Sequence, residues 1–531
     1  MESPNVKLTA GSIWQRIVDA TSKMSKPELF VLVAANGVVI FLCTKIWYYS
    51  EVYNPWRNSK IKWAKRTFWY GSYKDNLKRP LHEVENRRYE KLSKNIMYGY
   101  FQGACPFISL CKPHYVSGIR SCASKEVFVT GNEAIDSTLS YFETDRWQRV
   151  RNKIGKVLSR ENEMFRYAFE DVVEKMYTLV NIIKNDFGNG RPINVKRMFD
   201  AFAFDATCNS LLLTEYETIK NPDNDLLKEI RRILDTSDKF ASKMILKSHF
   251  PKIAEWIKSR SIDKDPTYFK KEVHNIIYEK YWHEKADFYL VKNVLQAMFS
   301  FDVNLAGSEI MKTGLRLEDT THQFFYYVVF GSQKVSTLVT MACYLLARHE
   351  DVQNDLRKEI YEAIIRDRGV FPYNSFDDIK YLNLVIKETL RMYPPVTRIE
   401  RVMEKKLNIK NASGYVPKGA HVTIPICGIH RGPNYENPKR FDPSRFIRNP
   451  PPVEKFLPFG MGNRKCIGET FAEMVTKIML VYIVGSFDIA VCPHTKIPPK
   501  FGLGTHAFLS VEDMVLTLTT RRDSPIQMRR L

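Results

Sequence analysis

The chain has 531 residues, 44% of them hydrophobic and 13% aromatic, which is enough apolar surface for a large core and excludes global disorder. Lys and Arg number 80 against 59 Asp and Glu, a net charge of +21 that suits an acidic membrane surface, an acidic protein partner or nucleic acid. The charge is spread along the chain, with no long Lys/Arg run and no zinc-ligand spacing, so nucleic acid is the weakest of the three.

The first element is apolar. Residues Leu29–Thr44 form a run that reaches Tyr49 if Lys45 extends its ammonium to the interface. About 20 such residues cross a membrane. Trp47, Tyr48 and Tyr49 stand where an interfacial aromatic belt lies. A cleaved signal peptide starts with a short basic region and ends on small residues, whereas bulky aromatics follow this run. A mitochondrial leader is Arg-rich and poor in acids; this one has Arg16 beside Glu2, Asp19 and Glu28. A buried globular helix is the remaining alternative. Residues 29–49 are therefore read as a membrane anchor behind a leader, 1–28, and ahead of a basic linker, 50–68. Lys45, Arg57, Lys60, Lys62, Lys65 and Arg66 follow the anchor; Lys7, Arg16, Lys23 and Lys26 precede it. That excess places the body, 69–531, in the cytosol.

In the body, apolar residues at three- and four-residue spacing predict helices over Asp145–Arg160, Glu163–Asp186, Leu226–Leu234, Thr321–Arg348 and Val352–Arg366. Strand-like runs are short and late: Val402–Ile409, His421–Ile426 and Met514–Thr519, with turns at Asn411–Gly414 and Pro417–Gly419. The fold class is mainly α with a small β region. The nine cysteines show no CxxC pair, which argues for a reducing compartment.

Phe459-Gly-Met-Gly-Asn-Arg-Lys-Cys466-Ile-Gly468 carries the strongest chemical signal. Gly460, Gly462 and Gly468 allow positive φ and a close approach to a flat ligand. Backbone N–H groups in such a loop point at a sulfur ligand. Arg464 adds a cation suited to a haem carboxylate, and a helix over Glu469–Ser486 aims its N-terminal dipole at Cys466. Upstream, Glu388 and Arg391 share a helix face that ends at Tyr393-Pro394-Pro395, and Arg445 in Phe441-Asp-Pro-Ser-Arg445-Phe446 offers a second fork to the same carboxylate. Trp147 and Arg151 lie one turn apart and present two donors. Arg401, in Arg398-Ile-Glu-Arg401-Val, is a further donor for a propionate.

These segments, in this order over roughly residues 69–531, resemble the cytochrome P450 family. The stretches Arg398–Val402 and Ile424-Pro425…His430-Arg431 look most like its microsomal, drug-metabolising branch. The resemblance implies the P450 fold with one N-terminal transmembrane helix, haem b (iron protoporphyrin IX) held by Cys466, and propionates held by Trp147, Arg151, Arg401 and Arg464. It also implies a structural triad of Glu388, Arg391 and Arg445, with Gly331, Phe459 and Gly468 at the cofactor. The implied activity is monooxygenation of a lipophilic small molecule with molecular oxygen. Electrons would come from an NADPH-dependent flavoprotein reductase, at the endoplasmic reticulum membrane and among membrane lipid. Lys465, Arg149, Lys153 and Lys156 offer that reductase a basic face. Substrate contacts are expected around Phe107–Ile119, Phe324–Gly331, Val396–Ile399 and Thr505–Phe508.

The central helix departs from the family. Its end, Tyr344-Leu-Leu-Ala347-Arg-His349, is clear, and counting back puts Gly331 on the family glycine. Phe330 then replaces Ala, Gln333 the acid, and Lys334 and Val335 the two Thr residues. Three accounts stand: Lys334 delivers protons itself; Ser332 or Ser336 holds the water relay, with Gln333 beside it; or oxygen is not activated. The last makes the enzyme an oxygen-independent haem-thiolate isomerase or dehydratase of a lipid peroxide.

Overall fold

A computed structural model of the protein describes residues 21–119, 144–234 and 323–526 apart from short gaps, with scattered residues between 245 and 275. The expected turn at Asn411–Gly414 and the substrate contacts at 505–507 lie outside the described residues.

The apolar run forms α1 (Lys26–Trp47), continued by a π turn over Tyr48–Val52. No side chain of α1 is buried, and by length and composition it suffices to cross a membrane. Its Lys45 ammonium rests 5.2 Å from the centre of the Phe250 ring. Part of the stretch read as a linker joins the body. Trp56 and Ile61 are buried, and β1 (Lys62–Trp63) pairs in parallel with β2 (Met97–Gln102).

Between these strands comes α2 (Leu81–Leu92). The hairpin of β2 and β3 (Cys105–Leu110) turns at Gly103-Ala104, where Gly103 takes φ +58°. There follow α3 (Thr144–Val157), α4 (Glu163–Phe187), β4 (Asn189–Asn194), α5 (Val195–Leu212) and α6 (Asp225–Leu234). Periodicity located α3, α4 and α6 but not α5. That helix is buried on nearly every side, so it has no polar stripe against which an apolar one stands out.

The long helix expected from Thr321 is a π turn, Tyr327–Gly331, running into α7 (Ser332–Arg348). Next are α8 (Glu350–Arg366) and α9 (Lys380–Met392), which stops at the residue preceding Tyr393-Pro394. The strand expected over Val402–Ile409 divides into β5 (Ile399–Val402) and β6 (Leu407–Asn408), the latter paired with β7 (Tyr415–Val416). β8 (His421–Ile424) completes a five-stranded sheet ordered β1-β2-β3-β8-β5. Last come α10 (Glu469–Ser486), β9 (Phe487–Ala490) and β10 (Val515–Thr520), and β10 lies between β4 and β9 in a second sheet.

Two cores result. One joins α4, α5, α7, α8, α9 and α10; the other backs the five-stranded sheet. The loop before α10 is anchored to both. Leu457 and Met461 are buried in the sheet core, while Phe456 and Phe459 pack on the helical core. Cys466 is thereby held at the seam.

Candidate haem-thiolate site

The Cys466 loop is shaped by two glycines. Gly460 and Gly462 take φ +78° and +63°, conformations open to few other residues. Gly468 does not share that conformation: at φ −97° it caps α10, and a Cβ there would meet nothing within 4 Å. The Cys466 N–H donates to the Phe459 carbonyl at 2.8 Å, and the Lys465 N–H to Gly462 at 3.0 Å.

Cys466 is exposed, yet burial raises its thiol above the ordinary range. A side chain both accessible and desolvated lines an internal cavity. Lys334 opposes the rise most strongly, followed by the Gly468 backbone and Arg151. The loop and the helix dipole therefore do not hold a thiolate unaided; that form needs a cation at the sulfur, which a bound metal supplies. The other described cysteines are also free, and burial raises the thiols of Cys111, Cys208, Cys343 and Cys427 as well.

Positive charge gathers beside the loop. Arg464 stacks 4.4 Å from the centre of the Trp147 ring, and Arg151 lies 5.5 Å from the same ring. Arg151 Nη2 also donates to the Lys465 carbonyl at 2.6 Å, tying α3 to the loop. Arg401, at the end of β5, donates to the Glu400 carbonyl at 2.7 Å. Arg464 is pushed down to about 10, by burial first and then by Arg401 and Arg151, with Glu404 acting the other way. Three guanidinium groups thus share one region, with Glu404 near them. An exposed sulfur inside the protein, flanked by such a cluster and by open space at Gly331 and Gly468, fits a flat dianionic metal cofactor.

Behind the loop, Glu388 is fully buried and closed upon from two sides. Arg391 Nε and Nη2 donate to it at 2.7 and 2.9 Å, Arg445 Nε at 2.9 Å, and the Asp442 N–H at 3.0 Å. Arg391 also donates to the His430 carbonyl at 2.9 Å, and His430 Nε2 accepts the Leu457 N–H at 2.9 Å. His430 thus links this cluster to the Cys466 loop, a role that its place in the sequence did not disclose. Burial and the Arg391 charge lower it to about 3, so it stays neutral.

The central helix separates its polar residues. Tyr326, Phe330 and Lys334 lie on the cavity side, where Phe330 meets Tyr326 and Phe508 at 5.1 and 5.2 Å between ring centres. Ser336 is about 200° further round the helix from Lys334. There it hydrogen-bonds Asp200 and Lys196 of α5, and Gln333 accepts from Lys196 at 3.0 Å. Ser332 donates back to the Val328 carbonyl. The sequence reading put Gln333 and Ser336 at the reaction. In the structure they join a largely buried hydrogen-bonded set with Lys196 and Asp200 of α5, while Lys334 lies over the Tyr326 and Phe508 rings.

Of the basic docking face, Lys465 pairs with Glu469; the side chains of Arg149, Lys153 and Lys156 lie outside the described residues. A family model described as Cytochrome P450 matches residues 69–515. Relatives include cytochrome P450 3A5 of Homo sapiens, 25% identical over 84% of this chain and 88% of its own length. Cytochrome P450 3A16 of Mus musculus is 27% identical over 80% and 84%, and cytochrome P450 3A12 of Canis lupus familiaris 27% over 81% and 86%.

Proposed function

Since the chain belongs to the cytochrome P450 family, and is thereby a haem-thiolate monooxygenase with haem b as its cofactor, we propose that it oxidises a lipophilic small molecule with electrons from an NADPH-dependent flavoprotein reductase. It does so at the endoplasmic reticulum membrane, anchored by α1, with its body in the cytosol, as a protein similar to the microsomal, drug-metabolising branch of the family. The observation that carries this reading is Cys466, accessible yet desolvated, at the entry to α10.

Haem iron bound by a thiolate supplies oxygen activation, the sulfur's electron density favouring O–O cleavage. Cys466 holds the iron. Trp147, Arg151, Arg401 and Arg464 hold the propionates, and Gly331, Phe459 and Gly468 leave room for the flat ring. Glu388, Arg391 and Arg445 fix the scaffold behind the loop. Lys334 Nζ holds a proton where the family has an alcohol, while Gln333 and Ser336 hold the helix against α5. Phe330 and Phe508 narrow the pocket and keep water from its apolar part. Lys465 belongs to the reductase-facing side. The oxygen-independent alternative gains no support from the relatives.

The test is reconstitution with a flavoprotein reductase and NADPH, screening lipophilic compounds for oxygen insertion. Product that requires both NADPH and reductase is expected. Turnover of a lipid hydroperoxide alone, with none under NADPH, would overturn the reading.

A further inference from the structure

Tyr326, Phe330 and Lys334 are spaced four residues apart and form one stripe along the cavity side of the central helix. Phe508 covers that stripe. Its ring lies 5.2 Å from Phe330, and the Lys334 Nζ sits 4.3 Å from its centre and 5.4 Å from that of Tyr326. The backbone of Phe508 bridges to Val396. Lys334 makes no hydrogen bond and no ion pair among the described residues. Its orientation is imposed from behind, because Gln333 and Ser336 are engaged with Lys196 and Asp200 and resist rotation of the helix.

Aromatic faces attract an ammonium, but they do not replace its water or a counter-charge. A single cation among aromatic walls is matched by an apolar molecule with one negative charge. A phosphate dianion would bring more charge than one ammonium balances. We propose that Lys334 is the anion-recognising end of the substrate pocket, and that the substrate is a lipophile bearing a carboxylate. The proposal rests on the haem-thiolate monooxygenase reading and deepens it.

The experiment uses the full-length, haem-loaded protein in detergent. Dodecanoic acid, its methyl ester and 1-dodecanol are titrated in turn, with binding followed by the haem spin-state spectrum and by equilibrium dialysis. The acid is expected to bind at least about tenfold tighter than the ester or the alcohol, the range of a charge-assisted hydrogen bond away from water. Lys334→Met removes the preference; Lys334→Arg keeps it. Equal affinity for acid and ester in the unaltered protein overturns the proposal, as does a preference that survives in Lys334→Met. The first comparison needs no variant, so a Lys334→Met protein that failed to fold would not shield the proposal. A reduced carbon-monoxide spectrum on the same sample separates two failures. A thiolate-type spectrum without acid preference rejects this proposal alone, whereas loss of the thiolate-type spectrum rejects the underlying reading.

Discussion

Two arginine clusters flank the Cys466 loop, and they are built differently. Behind it, Arg391 and Arg445 share the carboxylate of Glu388, and their remaining donors reach backbone carbonyls. In front, Arg151, Arg401 and Arg464 crowd together until burial and repulsion depress Arg464. The first cluster is complete within the chain, and its geometry is that of a brace. The second gathers three guanidinium groups, with Glu404 acting against their mutual repulsion, where a dianion would be held. A cluster centred on one buried carboxylate is architecture, whereas guanidinium groups gathered beside an accessible sulfur suit an anionic ligand; Lys334, over the Phe508 ring, adds a cation elsewhere.

The strongest way to break this contrast is to open the closed cluster. Glu388→Ala leaves two buried guanidinium groups without their carboxylate, and the expected loss of stability is about 3–5 kcal/mol. Denaturant unfolding of the haem-free protein measures it. A loss below about 1 kcal/mol would mean that the brace is not needed.

His430, which joins that brace to the loop, provides a pH-dependent test. In the folded state it is lowered to about 3, while an exposed histidine titrates near pH ~6.5. Its contribution is therefore full above about pH 6.5 and falls as the pH drops toward 3, by up to about 1.4 kcal/mol per unit. His82, also lowered to about 3 by burial, adds a slope of the same sign. His430→Gln keeps an acceptor for the Leu457 N–H and should remove about 2 kcal/mol of the stability change between pH ~7 and ~5. Denaturant midpoints at the two pH values decide it, and an unchanged slope would show that His430 protonates in the folded state.

The smallest effect sharpens the contrast by sign. Arg464→Gln should weaken haem retention by roughly tenfold, one charge-assisted hydrogen bond, measured by haem transfer to an acceptor protein. The haem-free protein should unfold at an unchanged or higher temperature, since a repelled cation has been removed. A variant destabilised without haem would place Arg464 among the braces.

The sequence disclosed the fold where local rules dominate. Helix α10 begins and ends as expected because Gly468 and the β9 strand bound it, and α9 stops where the proline pair requires. It concealed α5, which is buried on nearly every side, and the π turn at Tyr327–Gly331, which no periodicity signals. Residue types at the site were legible as well: Trp147, Arg151 and Arg464 do converge, as do Glu388, Arg391 and Arg445. Direction was not. Neighbours on one helix turn point to different places, and only packing against α5 tells Gln333 and Ser336 from Lys334.

The central claim is that Cys466 binds the iron, and the reduced carbon-monoxide difference spectrum of Cys466→Ala tests it most directly. The unaltered protein should give a thiolate-type spectrum. The variant, with its circular-dichroism signature of a folded chain intact, should lose it. A Cys466→Ala protein that retained the thiolate-type spectrum would contradict the account.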